Sequence, residues 1–292
     1  MSDLTLAGAS LAARCFVGLQ LVLPTRALSR LVHSLTRVRW TPFKNGLIHA
    51  FIRGFNISLA EAEIERVEDF EHFNAFFTRA LKPGERALAP APAFISPVDG
   101  RISQHGPLND GQLVQAKGHH YAVEALLGNT DWAQTFKGGD FATIYLAPYN
   151  YHRIHMPVAG QLRAWRYIPG RLFSVNGMTA SAMPDLFTRN ERLVALFDTE
   201  HGAMAMVLVG ALFVGGIETV WSGAVTPPHQ RGAPGPIITP PTPVHLARGA
   251  EMGRFNMGST VVVVTAAGMT RPTAGVSEDG RIRLGQPISM LC

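Results

Sequence analysis

From residue 94 onward the chain breaks into short apolar or alternating runs separated by Gly, Pro, Asn and Asp. No other feature limits the fold as strongly. The runs 101–104, 112–117, 141–146, 160–167, 193–198, 205–213, 217–222, 259–264 and 281–284 read as strands. Only short helices fit between them, 122–127 for example. A regular βαβ alternation is therefore excluded, and neither a P-loop, a dinucleotide glycine fingerprint nor an internal repeat is found.

The first third reads differently. Residues 4–24 are largely apolar but interrupted by Arg14, and the uninterrupted remainder, 15–24, is too short to span a bilayer. No small-residue cleavage site follows it. From 25 to 53 the charged residues are Arg26, Arg30, Arg37, Arg39, Lys44 and Arg53, with no acid among them. Leu28, Leu31, Val32, Leu35, Trp40, Phe43, Leu47, Ile48 and Phe51 are interleaved at helical spacing, which predicts helices lying in a membrane interface. Ordinary amphipathic helices packed on a core would give a similar pattern with a less one-sided charge. Ser58-Leu-Ala-Glu61 reads as a capping box opening a short helix. Phe70, Phe73 and Phe77 share one helical face, and Lys82-Pro83-Gly84 ends the helical region. The expected fold class is α+β: membrane-facing N-terminal helices over residues 1–82, then a β-rich catalytic domain over 83–292.

Hydrophobic residues make up 47% of the chain and charged residues 16%, enough apolar surface for a sizeable core. The net charge of +5 suits an anionic partner, nucleic acid or an acidic membrane. Cys15 and Cys292, at opposite ends, form neither a disulfide framework nor a metal knuckle and fit a reducing compartment.

The chemistry concentrates at Phe255-Asn-Met-Gly-Ser-Thr260, which follows the Pro/Gly-rich stretch 226–243 and enters the apolar run 261–264. A Gly-Ser-Thr tripeptide alone is most often a turn or a strand entrance. Here, however, Ser259 Oγ can attack the carbonyl of Gly258, whose missing Cβ tolerates the distorted backbone required. Elimination from the resulting ester, rearrangement and hydrolysis leave a pyruvoyl group, a protein-made carbonyl that forms Schiff bases with amines and serves as an electron sink. Three further stretches carry reactive groups. Asp99 in Ser96-Pro-Val-Asp-Gly100 reads on its own as a turn residue. His152 and His155 in Tyr151-His-Arg-Ile-His-Met-Pro157 point to opposite faces of a regular strand and share a site only where the chain bends; the β pattern argues against a helical metal pair, and no metal site is assigned. Glu218, in Gly216-Ile-Glu-Thr-Val-Trp221, reads as a paired structural carboxylate.

Asp99, His155 and Ser259 supply an acid, a base and a hydroxyl. The blocks Pro97-Val-Asp-Gly100, Ala116-Lys-Gly-His119, Tyr151–Pro157, Leu172-Phe-Ser-Val-Asn176, Asn190-Glu-Arg192, Leu196-Phe-Asp-Thr199, Ile217-Glu-Thr-Val-Trp221 and Gly249–Thr260 resemble those of phosphatidylserine decarboxylase proenzymes, in order and spacing from about residue 45 to 290. Met257 stands where such proteins commonly carry Leu, a volume-conserving swap. The resemblance implies that Ser259 becomes the pyruvoyl group, dividing the chain into associated fragments 1–258 and 259–292. Asp99 and His155 match residues that activate Ser259 for self-cleavage, and His152 matches a histidine of the decarboxylation step. The implied reaction turns phosphatidylserine, held in an anionic membrane, into phosphatidylethanolamine and carbon dioxide through a Schiff base. A homodimer, peripheral on the cytoplasmic face of the cell membrane and without a nucleic-acid partner, is also implied. Three rival readings are a serine hydrolase, which lacks a Gly-x-Ser-x-Gly elbow here; a non-catalytic binding module, which leaves Gly258-Ser259 unexplained; and a soluble pyruvoyl amino-acid decarboxylase, which has no need of interfacial helices.

Overall fold

The structure, a computed structural model, describes residues 11–292 except 117, 118, 214, 215, 228, 230 and 231. The start of the N-terminal apolar stretch and the middle of the 116–119 block thus lie outside the described residues.

Four helices come first: α1 (Leu11–Val22), α2 (Thr25–Leu35), α3 (Thr41–Phe55) and α4 (Phe73–Phe77). The early strands are β1 (Ala93–Ile95), β2 (Gly100–Pro107), β3 (Gln112–Ala116), β4 (His119–Ala122), β5 (Asp140–Leu146), β6 (Arg153–His155) and β7 (Gly160–Ile168). Then follow β8 (Arg192–Thr199), β9 (Gly202–Val209), β10 (Ile217–Thr219), β11 (Gly223–Ala224), β12 (His245–Leu246) and β13 (Glu251–Phe255). The chain closes with β14 (Ser259–Thr265), β15 (Thr270–Arg271), β16 (Arg281–Ile282) and β17 (Pro287–Leu291). Short helices α5 (Val123–Leu127), α6 (Thr130–Thr135), α7 (Gly177–Ala182) and α8 (Leu186–Arg189) sit among them. The α+β class and each sequence-predicted strand are present.

An antiparallel sheet in the order β12-β7-β8-β9-β14-β5-β2-β16 forms the spine. Its centre is β14, Ser-Thr-Val-Val-Val-Val-Thr, buried along its whole length. A β-branched run without polar alternation suits a strand covered on both faces. Val262 and Val264 face a core completed by the short helices and α1. Val261 and Val263 face a second core, shared with the sheet β11-β10-β13-β6.

A third cluster gathers Ile48 with Phe70, Phe73, Phe76 and Phe77; Phe70, expected on one helical face with Phe73 and Phe77, reaches it from extended backbone ahead of α4. The capping-box helix does not form. Ser58 Oγ instead accepts from the Ala60 amide in a tight turn, and Ala62 bridges to Leu81. Glu61, freed from any helix start, binds Arg86 and Arg283. Local capping propensity lost here to long-range ion pairing.

The α1–α2 pair bends by 82° at Leu23-Pro24, and among the described residues no single helix is long and apolar enough to cross a membrane. Proline at the break leaves no amide to continue the ladder. The orientation of α2 is reversed from that of an ordinary surface helix. Thr25 and Ser29 are buried, whereas Leu31 and Leu35 are 55% and 43% exposed. Leu11, Val22, Trp40 and Phe55 add exposed apolar surface on the neighbouring helices. Part of the basic charge turns inward: Arg26 donates to the Gly170 carbonyl and Lys44 is buried on the carbonyls of Val67 and Glu68, whereas Arg39 pairs with Glu71 at the surface. Arg14, Arg30 and Arg53 remain exposed.

Candidate active site

Ser259 opens β14 directly opposite Leu146 of β5. Its side chain is buried, and Oγ has no hydrogen-bond partner among the described residues. A buried hydroxyl without a partner forfeits about 1–3 kcal/mol, so it is a costly feature to retain. By strand alternation Ser259 shares the face of Val261 and Val263, toward the small sheet that carries β6.

The bond to be broken is held at both flanks. The Phe255 amide donates to the His152 carbonyl, the Asn256 amide to the Gly216 carbonyl, and the Asn256 side chain accepts from Asn74. Between these upstream anchors and the β14 ladder that starts at Ser259, Met257 adopts φ +104°, a region that costs a side-chain-bearing residue about 1–3 kcal/mol. The distortion expected of Gly258 therefore resides in the preceding residue. Around Gly258 there is space: an added Cβ would approach nothing closer than 3.9 Å, at the Leu146 carbonyl oxygen.

The two histidines meet different surroundings. His152 precedes β6 and is fully buried, stacked on Phe77 at 4.1 Å between ring centroids. Its Nε2 lies 3.1 Å from the Ala147 carbonyl oxygen, which only accepts, so Nε2 carries the hydrogen. Nδ1 is then a buried lone pair with no partner among the described residues. Burial first, and Arg79 second, push this ring down to about 3, so it is neutral at physiological pH. Ala147 follows Leu146, which places His152 beside the strand pair that holds Ser259.

His155, in β6, donates from Nδ1 to the Gly249 carbonyl at 2.8 Å, and its Nε2 accepts from Tyr151 Oη at 2.9 Å. Burial lowers its pKa, with the Gly249 contact acting in the opposite direction. Asp99 does not contact this ring. It is gripped by Arg86 through Nε at 3.0 Å and Nη2 at 2.6 Å, and it accepts the Leu284 amide at 2.9 Å. The segments are nevertheless adjacent, because the His155 amide donates to the Pro97 carbonyl. The Asp99 charge reaches both His155 and Tyr151. The direct Asp99-to-imidazole contact anticipated from the sequence is thus replaced by Tyr151 on one side and a guanidinium on the other. Tyr151 and Asp99 both line a cavity of about 690 Å³ with Glu61, Arg79 and Arg283.

A second group escaped the sequence reading. Glu191, just ahead of β8, is fully buried. Both its carboxylate oxygens lie 2.9 Å from His229 Nδ1, and one also accepts from Tyr167 Oη at 2.9 Å. An isolated acid before an apolar strand was the available signal for Glu191; His229, inside a Pro/Gly-rich loop, gave none. Glu218 stands opposite Arg254 in the ladder and acts on Arg37, just past the end of α2, in keeping with a structural role.

Comparison with known proteins fits this geometry. The family description phosphatidylserine decarboxylase matches residues 73–289, and a second, PSD, matches 15–56. The chain is 49% identical over 287 residues to the phosphatidylserine decarboxylase proenzyme of Pseudomonas fluorescens, covering 95% of this chain and 97% of that one. It is 50% identical over 280 residues to the protein of the same name from Azotobacter vinelandii, covering 94% and 97%. A third relative of that name, from Pseudomonas putida, is 48% identical over 287 residues, covering 95% and 98%. With a matching description over most of its length and near-complete coverage at this identity, the chain belongs to the phosphatidylserine decarboxylase family.

Proposed function

We propose that this protein cleaves itself between Gly258 and Ser259, converts Ser259 to a pyruvoyl group, and decarboxylates phosphatidylserine to phosphatidylethanolamine. The observation that carries the reading is the bond itself. A buried, unbonded Ser259 hydroxyl follows a conformationally strained Met257 and an uncrowded Gly258, in a chain of this family. Those features suit the group: nothing competes for Oγ, and strain is released when the peptide bond opens.

In maturation Ser259 Oγ gives its proton to a base and attacks the Gly258 carbonyl. The C–N bond breaks and an ester forms. Loss of the Ser259 α-proton then expels the Gly258 carboxylate, and water hydrolyses the dehydroalanine left behind, by way of its imine tautomer, to the pyruvoyl carbonyl with the Ser259 nitrogen leaving as ammonia. His155 is the base we assign. Its Nδ1 hydrogen is fixed on Gly249, and its Nε2 lone pair, which accepts from Tyr151, takes a proton when that hydrogen bond is exchanged. Burial lowers the His155 pKa, and against it the Gly249 contact, then Glu251 and, least, Asp99 favour the imidazolium. The pyruvoyl group supplies a carbonyl for the substrate amine and accepts the electron pair released with carbon dioxide. For turnover we assign His152, whose Nδ1 has no partner among the described residues and whose ring sits at the end of β5 that pairs with Ser259, so that it can pass a proton on without retaining it.

The reversed polarity of α2, with exposed Leu31 and Leu35 and the free cations Arg14, Arg30 and Arg53, supports peripheral binding to the anionic cytoplasmic face of the cell membrane. The family resemblance supports a homodimer with no nucleic-acid partner. Intact mass decides the central claim. The expected result is two chains, 1–258 and 259–292, the second blocked to Edman sequencing because a pyruvoyl end has no amine. Ser259→Ala leaves one inactive chain. An intact Ser259 chain that decarboxylates overturns the proposal.

A further inference from the structure

Beyond the residues already given roles, the main sheet carries a second charged group level with Ser259. Thr260 pairs with Val209 and Arg192 pairs with Val209, so one step further along the ladder Ser259, Gly210 and Glu191 stand side by side on adjacent strands. The Gly210 amide donates to the Glu191 carbonyl, which fixes that register. Leu193, Ala195 and Phe197 face the same core as Val261 and Val263, and alternation carries Glu191 and Ser259 onto that face. Two strand spacings separate their backbones by about 10 Å. Gly210, between them, has no side chain, and the Glu191 carboxylate leans over it: a Cβ on Gly210 would sit 3.3 Å from Oε1. Glu191 therefore approaches the reactive residue across a notch that any other residue would fill.

His229 binds this carboxylate through Nδ1, so in the neutral ring Nε2 is a lone pair. The His229 side chain is 1% exposed, and Nε2 has no partner among the described residues. The polar face of α2 lies next to it, since His33 feels the His229 charge. The Glu191–His229 pair is thus within electrostatic reach of α2, through His33, and level in the sheet with position 259.

We propose that the Glu191–His229 pair receives the substrate's ammonium group and takes its proton, presenting the neutral amine to residue 259. An ammonium has no electron pair with which to attack a carbonyl, so the reaction needs such a step. An N–H bond of the ammonium breaks and its electron pair stays on nitrogen. The proton bonds to the His229 Nε2 lone pair, giving an imidazolium held by Glu191, and nothing is oxidised or reduced. The same proton is available later to the oxygen lost as water when the amine condenses. This inference rests on the proposed decarboxylase reading. The titratable and charged neighbours are Tyr167, bonded to Glu191, and from α2 His33 with Arg37 beside it. Burial, then Arg37 and His229, lower His33 to about 4, which keeps it neutral through the range tested.

The first arm uses the uncleavable Ser259→Ala protein and calorimetric binding of dihexanoyl-phosphatidylserine. The comparison ligand is the same lipid with hydrogen in place of the ammonium group. The amine lipid is expected to bind at least tenfold more tightly, and Glu191→Gln to abolish that preference while leaving affinity for the deaminated lipid unchanged. The latter also reports that the variant folds. Preference retained in Glu191→Gln overturns the proposal. The second arm follows borohydride trapping of the lipid on matured protein against pH. His229→Gln is expected to move the midpoint at least one pH unit upward, because the amine must then ionise in solution. A purely structural role scales trapping equally at every pH, and an unmoved midpoint refutes the assignment. Wild-type protein that neither matures nor captures the lipid sinks the decarboxylase reading itself, a different failure from loss of the amine preference alone.

Discussion

Replacing Met257 tests whether backbone strain contributes to self-cleavage. At φ +104° the residue stores about 1–3 kcal/mol that glycine does not pay. If the strain is released in the transition state, removing it slows cleavage by about 5- to 150-fold, at 1.36 kcal/mol per factor of ten. Met257 also packs against the phenylalanine cluster, so Met257→Gly alone confounds strain with packing. Met257→Ala removes the packing and keeps the strained φ; Met257→Leu keeps both. The informative quantity is the ratio of the alanine to the glycine rate. Precursor would be made by translation in vitro and chased, with gel densitometry of intact and cut chain over time. Leu is expected near wild type, Ala slightly slower, and Gly slowest by at least fivefold relative to Ala. In the uncleavable Ser259→Ala background, the glycine variant should be more stable toward urea than the alanine variant, less the 0.5–1 kcal/mol entropic cost of glycine, roughly. Equal rates for the alanine and glycine variants, or faster cleavage of the glycine variant, would refute the argument.

Other outcomes follow from the same geometry. Asp99→Ala leaves Arg86 with Glu61 as its remaining acid partner, so it should both accumulate precursor and lower stability by about 1.5–3 kcal/mol in urea titration; maturation at the normal rate would exclude Asp99 from the cleavage step. His155→Ala should accumulate uncut chain, whereas His152→Ala should cut at least partly and then turn over about 10²–10⁴-fold more slowly per pyruvoyl, measured as carbon dioxide release. His152 is buried neutral, with its pKa pushed down to about 3, while its unfolded counterpart binds a proton below about pH 6.5. Stability should therefore fall as pH drops from 6.5 toward 3, by at most about 1.4 kcal/mol per unit from this ring, and His152→Gln should flatten that slope. Leu31→Asp together with Leu35→Asp should weaken sedimentation with anionic vesicles while far-UV circular dichroism stays unchanged; equal binding would remove α2 from the membrane contact.

Much of this architecture was legible because it rests on local pattern. The valine run of β14, the Phe73–Phe77 face and the short strands between turn residues are all encoded within a few positions. What was not legible depends on distance along the chain. The capping box at Ser58 was outweighed by partners of Glu61 more than twenty residues away. The basic residues of 25–53 looked uniformly available, yet Arg26 and Lys44 spend their charge on carbonyls that no local window contains. Asp99, His155, His152 and Ser259 were all named from sequence; in the fold the Asp99 segment lies against His155 through Pro97, while His152 and Ser259 both lie at the end of β5, at Ala147 and Leu146. The direct Asp99–His155 contact was not fulfilled, because Arg86 holds the acid. Glu191 and His229, 38 positions apart, become one group only through the fold.

Cutting a chain at residue 258 would release a peptide in most proteins. Here the piece that begins at Ser259 is threaded through the middle of the largest sheet, with β5 on one side and β9 on the other, and its far end stitches β1 to β15. Maturation would therefore sever covalent continuity without loosening anything. The new terminus would be anchored in the most interior strand of the molecule, so the reactive carbonyl would be aimed by the whole sheet, although chain ends in folded proteins are usually the parts that wander. Each molecule would also be a single-use device. Once the pieces are unfolded and parted, neither contains the instructions to remake the bond, so denaturation that is reversible for the precursor should be irreversible for the active form.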